Sequence, residues 1–495
     1  MNRRQRADQP FFIANHYVCL QGRTEQGDSM ANTAPQEIID DILDHFIYIH
    51  LLPPSQIRHE EQASEYQRNL EVLRACSLVS KAFSHRAQTH LYSVIRLWPT
   101  SRDNGKDEKR RERLCAISDL CVAKPHIANN IRVLDIQLDG IDDYSSLFKR
   151  DDVAILKVLT HVCGNVTTLY IRGQHQTLSL SALFPTFNLV NITGLHIYHA
   201  KLAYSTMADL VNLSDLSFSS VALAEEDDST ARPAQIRLRK LFLQNVEDDV
   251  LDIIIHNNYG RAPVCYPVMN LSTLCSFKQG QSSKNDRRGY LYTLEDMLNK
   301  SRSSLKALEI SKHPYFAGWM SKEQGLPVPK GLNSGSYNLC HMEQLRDVTI
   351  VSNLCHIDPV YGLHGELLSP KTGIETWLQF LAESRFLENL IVKFSFITRE
   401  TDASNFFTAC EPVIRWKYLC TLVGRVSNGR SMSFRLHVEW LYSTQGHFSN
   451  QDTSTAVDVL RENLSVPLRS LFDEFLSSPW ITTSMLFTAR KIVAL

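Results

Sequence analysis

The chain has 495 residues, 43% of them hydrophobic and 21% charged; at roughly 100–200 residues per domain this allows about three domains and a large buried core. Lys and Arg number 52 against 53 Asp and Glu, a net charge of −1, so the basic surplus with which a general nucleic-acid binder displaces counterions is missing. No run of about eighteen apolar residues occurs, and no membrane span is expected.

Residues 1–32 read as a disordered tail. Arg3-Arg4 followed by Phe11 to Leu20 imitates a signal peptide, but Asn15 and His16 interrupt it and no small-residue cleavage site follows. A helix is predicted from Pro35, whose missing N–H suits a first helical position. Glu37, Asp40 and Asp41 complement the positive end of the helix dipole, and Ile38, Ile39, Ile42, Leu43, Phe46 and Ile47 line one face. After a polar stretch a second helix is predicted through Leu70, Leu73, Cys76, Val79 and Phe83, with Leu91-Tyr92 following.

These residues resemble the F-box, in the F-box-like form common in fungal proteins. The resemblance rests on Pro35-x-Glu37-Ile38-Ile39, Ile42-Leu43, Val79-Ser80-Lys81-Ala82-Phe83 and Leu91-Tyr92, and covers residues 33–97. Two features depart from it: Ala34 stands where the family has Leu, and the connection Tyr48 to Asn69, with Pro53-Pro54, is long. The resemblance implies a helical domain that docks a Skp-type adaptor of a cullin–RING ubiquitin ligase through Pro35, Ile38, Ile42 and Val79. Some of these apolar residues must also join the helices to one another. The alternative for the same residues is a helical cap on the open end of a repeat array.

Residues 98–113 read as a charged linker. The run Lys106 to Arg113 suits a nuclear-import signal or, given its interleaved acids, a solvated linker or helix start. From residue 114 to the end an internal repeat organises the chain. The frame apolar-x-x-Leu-x-apolar appears at Ile131/Leu134/Ile136, Val166/Leu169/Ile171, Ile192/Leu195/Ile197, Leu213/Leu216/Phe218, Leu238/Leu241/Leu243, Leu305/Leu308/Ile310, Leu345/Val348/Ile350 and Leu387/Leu390/Val392, with a degraded copy at Leu271/Leu274/Ser276. The last two apolar positions alternate as a short half-buried strand requires. Helical spacing intervenes at Leu147, Val153, Leu156, Leu159 and Val162, and again at Ile374, Trp377, Leu378, Leu381 and Phe386.

One strand and one helix per unit resembles an irregular leucine-rich-repeat solenoid. The fold class expected is therefore α/β, a small helical F-box-like head followed by an irregular leucine-rich-repeat-like α/β solenoid. The competing reading is a single α/β domain whose parallel strands share a hydrophobic frame. Phe434/Leu436/Val438 is expected as a closing strand and Val457 to Phe475 as a terminal helical cap. Glu225 to Asp228 and Lys278 to Gly289 read as exposed loops.

Chemistry-bearing motifs are scarce. The sequence lacks G-x-S-x-G, a Walker-type Gly-Lys-Ser/Thr, G-x-G-x-x-G and H-E-x-x-H. Gly331 to Gly335 approaches a nucleophile elbow with its Ser one place late, and His59-Glu60-Glu61 has no second His four residues on from the first. The 18 histidines have no metal-ligand spacing, so no catalytic, metal or cofactor-binding residue is expected. The 11 cysteines include no C-x-x-C, which suits buried thiols in a reducing cytoplasmic or nuclear compartment. Asn165, Asn191 and Asn212 open Asn-x-Ser/Thr triplets just before repeat strands, where packing is expected to hide them.

Three functions follow. The resemblance implies a non-catalytic substrate receptor, its head on the adaptor and its array on an unknown protein target, with no nucleic acid and no membrane as partner. The second is a leucine-rich-repeat scaffold or sensor whose head is only a cap. The third is a hydrolase on an unfamiliar α/β fold. An exposed apolar patch on the first helix separates the first two, because a cap is polar outside.

Overall fold

A computed structural model describes residues 35–44, 60–97, 106–137, 164–173, 177–178, 189–202, 209–223, 235–246, 268–279, 297–312, 342–354, 373–382, 384–398, 416–443, 452–476 and 478–492, with single positions 158, 162, 207, 250, 254 and 339. The fold is mixed α/β with a long parallel sheet. Two compact units divide the chain, residues 1–174 with 180–192, and residues 175–179 with 193–495.

The first unit opens with helices α1 (Gln36–Asp44), α2 (Glu60–Val79) and α3 (Lys81–Leu91). The second helix expected from the sequence is in fact two. Ser80 adopts an extended backbone (φ −156°, ψ 167°) and its side chain accepts from the Phe83 N–H, which caps α3 and ends α2. Glu60 to Asn69, read as part of a long connection, forms the first half of α2. Strand β1 (Val94–Leu97), helices α4 (Lys106–Ala123) and α5 (Pro125–Asn130), and strands β2 (Val133–Gln137) and β3 (Thr168–Arg172) complete the unit. The charged run from Lys106 thus begins α4 rather than staying extended. Strands β1, β2 and β3 are parallel, and their register aligns Ile95, Leu134 and Leu169.

In the second unit the strands are β4 (Thr177–Leu178), β5 (Gly194–Leu202), β6 (Asp215–Leu223), β7 (Gln235–Arg237), β8 (Lys240–Gln244), β9 (Val268–Asn270), β10 (Ser276–Gln279), β11 (Ala307–Lys312), β12 (Asp347–Leu354), β13 (Asn389–Thr398), β14 (Met432–Ser443) and β15 (Ile481–Ile492). All pair in parallel. Strands β5, β6, β8 and β10 to β15 follow one another in the sheet, β4 pairs with β5, and β7 with β9 form a small second sheet. Parallel neighbours need a crossover. Helices α6 (Gly373–Leu381), α7 (Trp416–Ser427) and α8 (Asp452–Phe475) lie between β12 and β13, β13 and β14, and β14 and β15 respectively.

A recurring turn leads into many of the strands. The carbonyl of the residue just before one strand accepts the N–H groups of two successive residues that open the next. In the second unit the acceptors run Thr193, Ser214, Arg239, Cys275, Lys306 and Arg346, at 2.7–3.0 Å. Ser93 and Arg132 do the same in the first unit. The first apolar residue of each frame, from Ile131 to Leu387, is buried against this turn, and the two strand positions bury into the core, except Ile136, which is half-buried. Register stacks the central positions Leu195, Leu216, Leu241, Phe277, Leu308, Val348, Leu390 and Phe434. Each buried methylene of this stack contributes about 0.8 kcal/mol.

The frame assigned at Leu271/Leu274/Ser276 is displaced by three residues. Leu274 is the turn residue and Phe277 the central one, because Phe277 pairs with Leu241 and Leu308. Lys278 and Gln279 accordingly belong to β10 rather than to a loop. Phe434/Leu436/Val438 is not the closing strand: β15 follows it, and α8 is the crossover between them, its Phe472 edge-on to Phe434 at 5.6 Å. In β15 Thr483 occupies the central position, and the apolar frame is lost there. Asn191 and Asn212 are exposed on the turn edge, and Asn165 is half-buried. Packing therefore does not hide the triplets, because the turn points each Asn away from the buried residue that follows it.

The helix expected at Leu147 to Val162 lies outside the described residues apart from Val158 and Val162, both helical and buried; the tail, Phe46, Ile47, Pro53-Pro54, Glu225 to Asp228, Gly331 to Gly335 and His59 also lie outside them. Among the described cysteines, Cys76, Cys115, Cys121, Cys275 and Cys420 carry free thiols, and burial pushes the Cys420 thiol up to about 12.

Candidate functional site on the helical head

The head has one small core. Ile39 and Leu43 of α1, Leu73 of α2 and Ala87 of α3 are buried together, with Cys76, Ala82, Phe83 and Leu91 packed around them. Ile39 and Leu43 are four apart, hence one above the other on one helical face. Ile38 and Ile42 form the neighbouring ridge, which the core does not use. They are 52% and 50% exposed.

Of the four residues singled out from the sequence, Pro35 precedes α1 and is exposed, Ile38 and Ile42 lie one turn apart on its outer face, and Val79 ends α2 with 63% of its surface in solvent. Leu78, which sequence reasoning passed over, is 71% exposed beside it. Its signal was its place next to Val79 in the quoted motif. The Pro35 carbonyl accepts from the N–H groups of Ile38 and Ile39 (3.1 and 3.3 Å), so Pro35 starts the helix as its φ restriction suggests.

Polar contacts fix α1 at both ends. Gln36 Nε2 donates to the Ala82 carbonyl at 3.2 Å, which sets the start of α1 beside the α2–α3 junction that carries Leu78 and Val79. At the other end Asp44 accepts from Arg86 Nε at 2.7 Å and Nη2 at 2.5 Å, and from His90 Nε2 at 2.9 Å. The Arg86 bonds hold the Asp44 carboxyl below its ordinary range, while burial, opposed by the Asp44 bond, holds the His90 imidazole below its own. A neutral His90 that donates to a carboxylate is the state this geometry favours.

Four large aliphatic side chains thus stand largely in water outside the core that the described residues of the head form. Burying the exposed part of each against a partner is worth about 1–2 kcal/mol. A terminal cap of a repeat array is expected to be polar on its outer face.

A second polar constellation lies on the face of the sheet opposite the apolar stack. Glu439 of β14, 6% exposed, accepts from Ser395 Oγ at 2.7 Å and pairs with Lys393 Nζ at 2.8 Å, both from β13. His437 Nε2 meets Thr488 Oγ1 at 2.8 Å on the neighbouring strand. The carboxylate is satisfied by its own neighbours, so this cluster reads as a cross-strand tie. Among the described residues no group of three or more His, Cys, Asp or Glu could hold a metal ion, and no helix is long and apolar enough to cross a membrane. Compared with known proteins, the chain matches no family model and no curated protein.

Proposed function

We propose that this protein is the substrate-recognition subunit of an SCF-type (cullin–RING) ubiquitin ligase, an F-box-like head docking a Skp-type adaptor and an irregular leucine-rich-repeat-like array presenting a surface to a target protein. The observation that carries the reading is the exposed quartet Ile38, Ile42, Leu78 and Val79 beside a closed core. Burial of such apolar surface against a partner is the dominant favourable term in most protein–protein association. The repeated turn and the stacked strands support the array half of the reading, since such ladders build extended surfaces. The protein itself makes and breaks no bond. It raises the effective concentration of a target's lysines near a ubiquitin carrier held by other subunits, in the cytoplasm or nucleus.

The test is capture of the purified full-length chain by a Skp-type adaptor, beside an Ile38→Asp, Ile42→Asp double variant and a Leu78→Asp variant. Adaptor binding that both folded variants lose supports the reading. Absence of binding by the folded unmodified chain leaves the capped scaffold or sensor as the better account.

A further inference from the structure

Charge is unevenly spread along the turn edge of the second unit. The described segments that lead into β8, β10 and β11, from the end of β7 onward, carry Arg237, Arg239, Lys300, Arg302 and Lys306, all exposed, and no Asp or Glu. In a chain with a net charge of −1 this is a local positive field. Neighbouring repeats balance theirs. Before it, Asp215 reaches across to Lys240 at 3.0 Å; after it, Arg346 pairs with Glu388 at 3.2 Å, and Glu343 and Asp347 are exposed nearby.

The register places these cations relative to one another. Lys240, Ser276 and Ala307 are aligned partners, so Arg239, Cys275 and Lys306 stand in line across three adjacent strands. Strands are about 4.8 Å apart, which sets Arg239 and Lys306 about 10 Å from each other. An extended peptide advances about 3.3 Å per residue and presents every second side chain on one face, so acidic side chains two and four residues apart, at about 6.6 and 13 Å, bracket this distance within the reach of long Arg and Lys side chains. Exposed Ser272 and Ser303 lie on the same turns as additional donors.

We propose that this edge binds an acidic protein segment, rich in Asp and Glu, running across the strands over Arg239 and Lys306. Single-stranded nucleic acid is the weaker candidate, because these turns expose no aromatic side chain on which a base could stack. Under the ligase reading this names the chemistry of the array's target. It uses none of the adaptor-facing residues, so adaptor capture and acidic-peptide binding fail separately.

The test is fluorescence anisotropy of the full chain with a labelled decapeptide of alternating Asp and Glu, beside an oligothymidylate of equal charge. The expected result is binding of the peptide in preference to the oligothymidylate, weakening at least tenfold as salt rises from about 50 to about 200 mM. The triple variant Arg237→Glu, Arg239→Glu, Lys306→Glu is expected to lose at least tenfold in affinity. The Gln version at the same three positions should show the loss without reversed charge, and Arg385→Glu on another repeat should leave binding unchanged. Absence of peptide binding, binding retained by both folded triple variants, or tighter binding of the oligothymidylate overturns the proposal.

Discussion

Leu43 and Ile42 are chain neighbours with opposite assignments, and truncating each to Ala tests the division of α1 into a core face and a free face. Leu43 is 0% exposed and packed among Ile39, Leu73 and Ala87. Its truncation removes about three buried carbons, roughly 2.4 kcal/mol at about 0.8 each, and leaves a cavity that raises the loss to about 3–4 kcal/mol. Ile42 is 50% exposed, so about half of its transfer term, roughly 1 kcal/mol, is at stake. The better helix propensity of Ala returns about 0.4 kcal/mol of that. Amide exchange across α1 in the full chain reads the difference locally, each 1.4 kcal/mol being about tenfold in rate when opening is the pre-equilibrium. Leu43→Ala should accelerate exchange by about a hundredfold or up to the limit set by the head's own stability, and Ile42→Ala by less than tenfold. Equal acceleration by the two variants would mean that Ile42 is packed into the head and is not free to meet a partner.

Other consequences of the structure can be checked in the same way. Glu439→Gln leaves Lys393 without its buried counter-charge and should destabilise the strands by about 3 kcal/mol, whereas Lys393→Met with Glu439→Leu should recover most of that loss in thermal unfolding. Asp44 and His90 both have folded-state pKa values below their unfolded ones, so the unfolded head binds more protons and its stability falls with falling pH. The His90 contribution is complete above about pH 6.5 and is lost below it; the Asp44 contribution is lost below about pH 4. Exchange protection of α1 measured against pH should show these two steps, and Asp44→Asn should remove the lower one. At pH 8, iodoacetamide should modify exposed Cys115 at least a hundredfold faster than Cys420, read by peptide mapping, because burial suppresses the Cys420 thiolate.

Local patterns were legible in the residue order. The frame apolar-x-x-Leu-x-apolar predicted strands at eight places where strands stand, because a half-buried strand must alternate and a tight turn must bury its first apolar residue. The amphipathic α1 and the apolar spacing from Ile374 to Leu381 were likewise readable, since a helix face repeats on its own period. Phe386 fits that spacing but lies beyond the helix, partly exposed, with the Arg346 guanidinium 5.2 Å from its ring centre.

Pairing across the sheet decided the rest. Leu271-x-x-Leu274 and Leu274-x-x-Phe277 fit the first two frame positions equally well, and only alignment with Leu241 and Leu308 selects the second. Strand β15 breaks the frame at Thr483 yet forms because β14 offers it twelve residues of ladder. The division of α1 is of the same kind. Ile38, Ile39, Ile42 and Leu43 are near-equivalent hydrophobes within one amphipathic stripe, and which ridge is buried depends on where Leu73 and Ala87 arrive from other helices. Periodicity reports which side of an element is apolar; the partner that covers part of that side is distant in the chain, and what it leaves uncovered is the surface available to another protein.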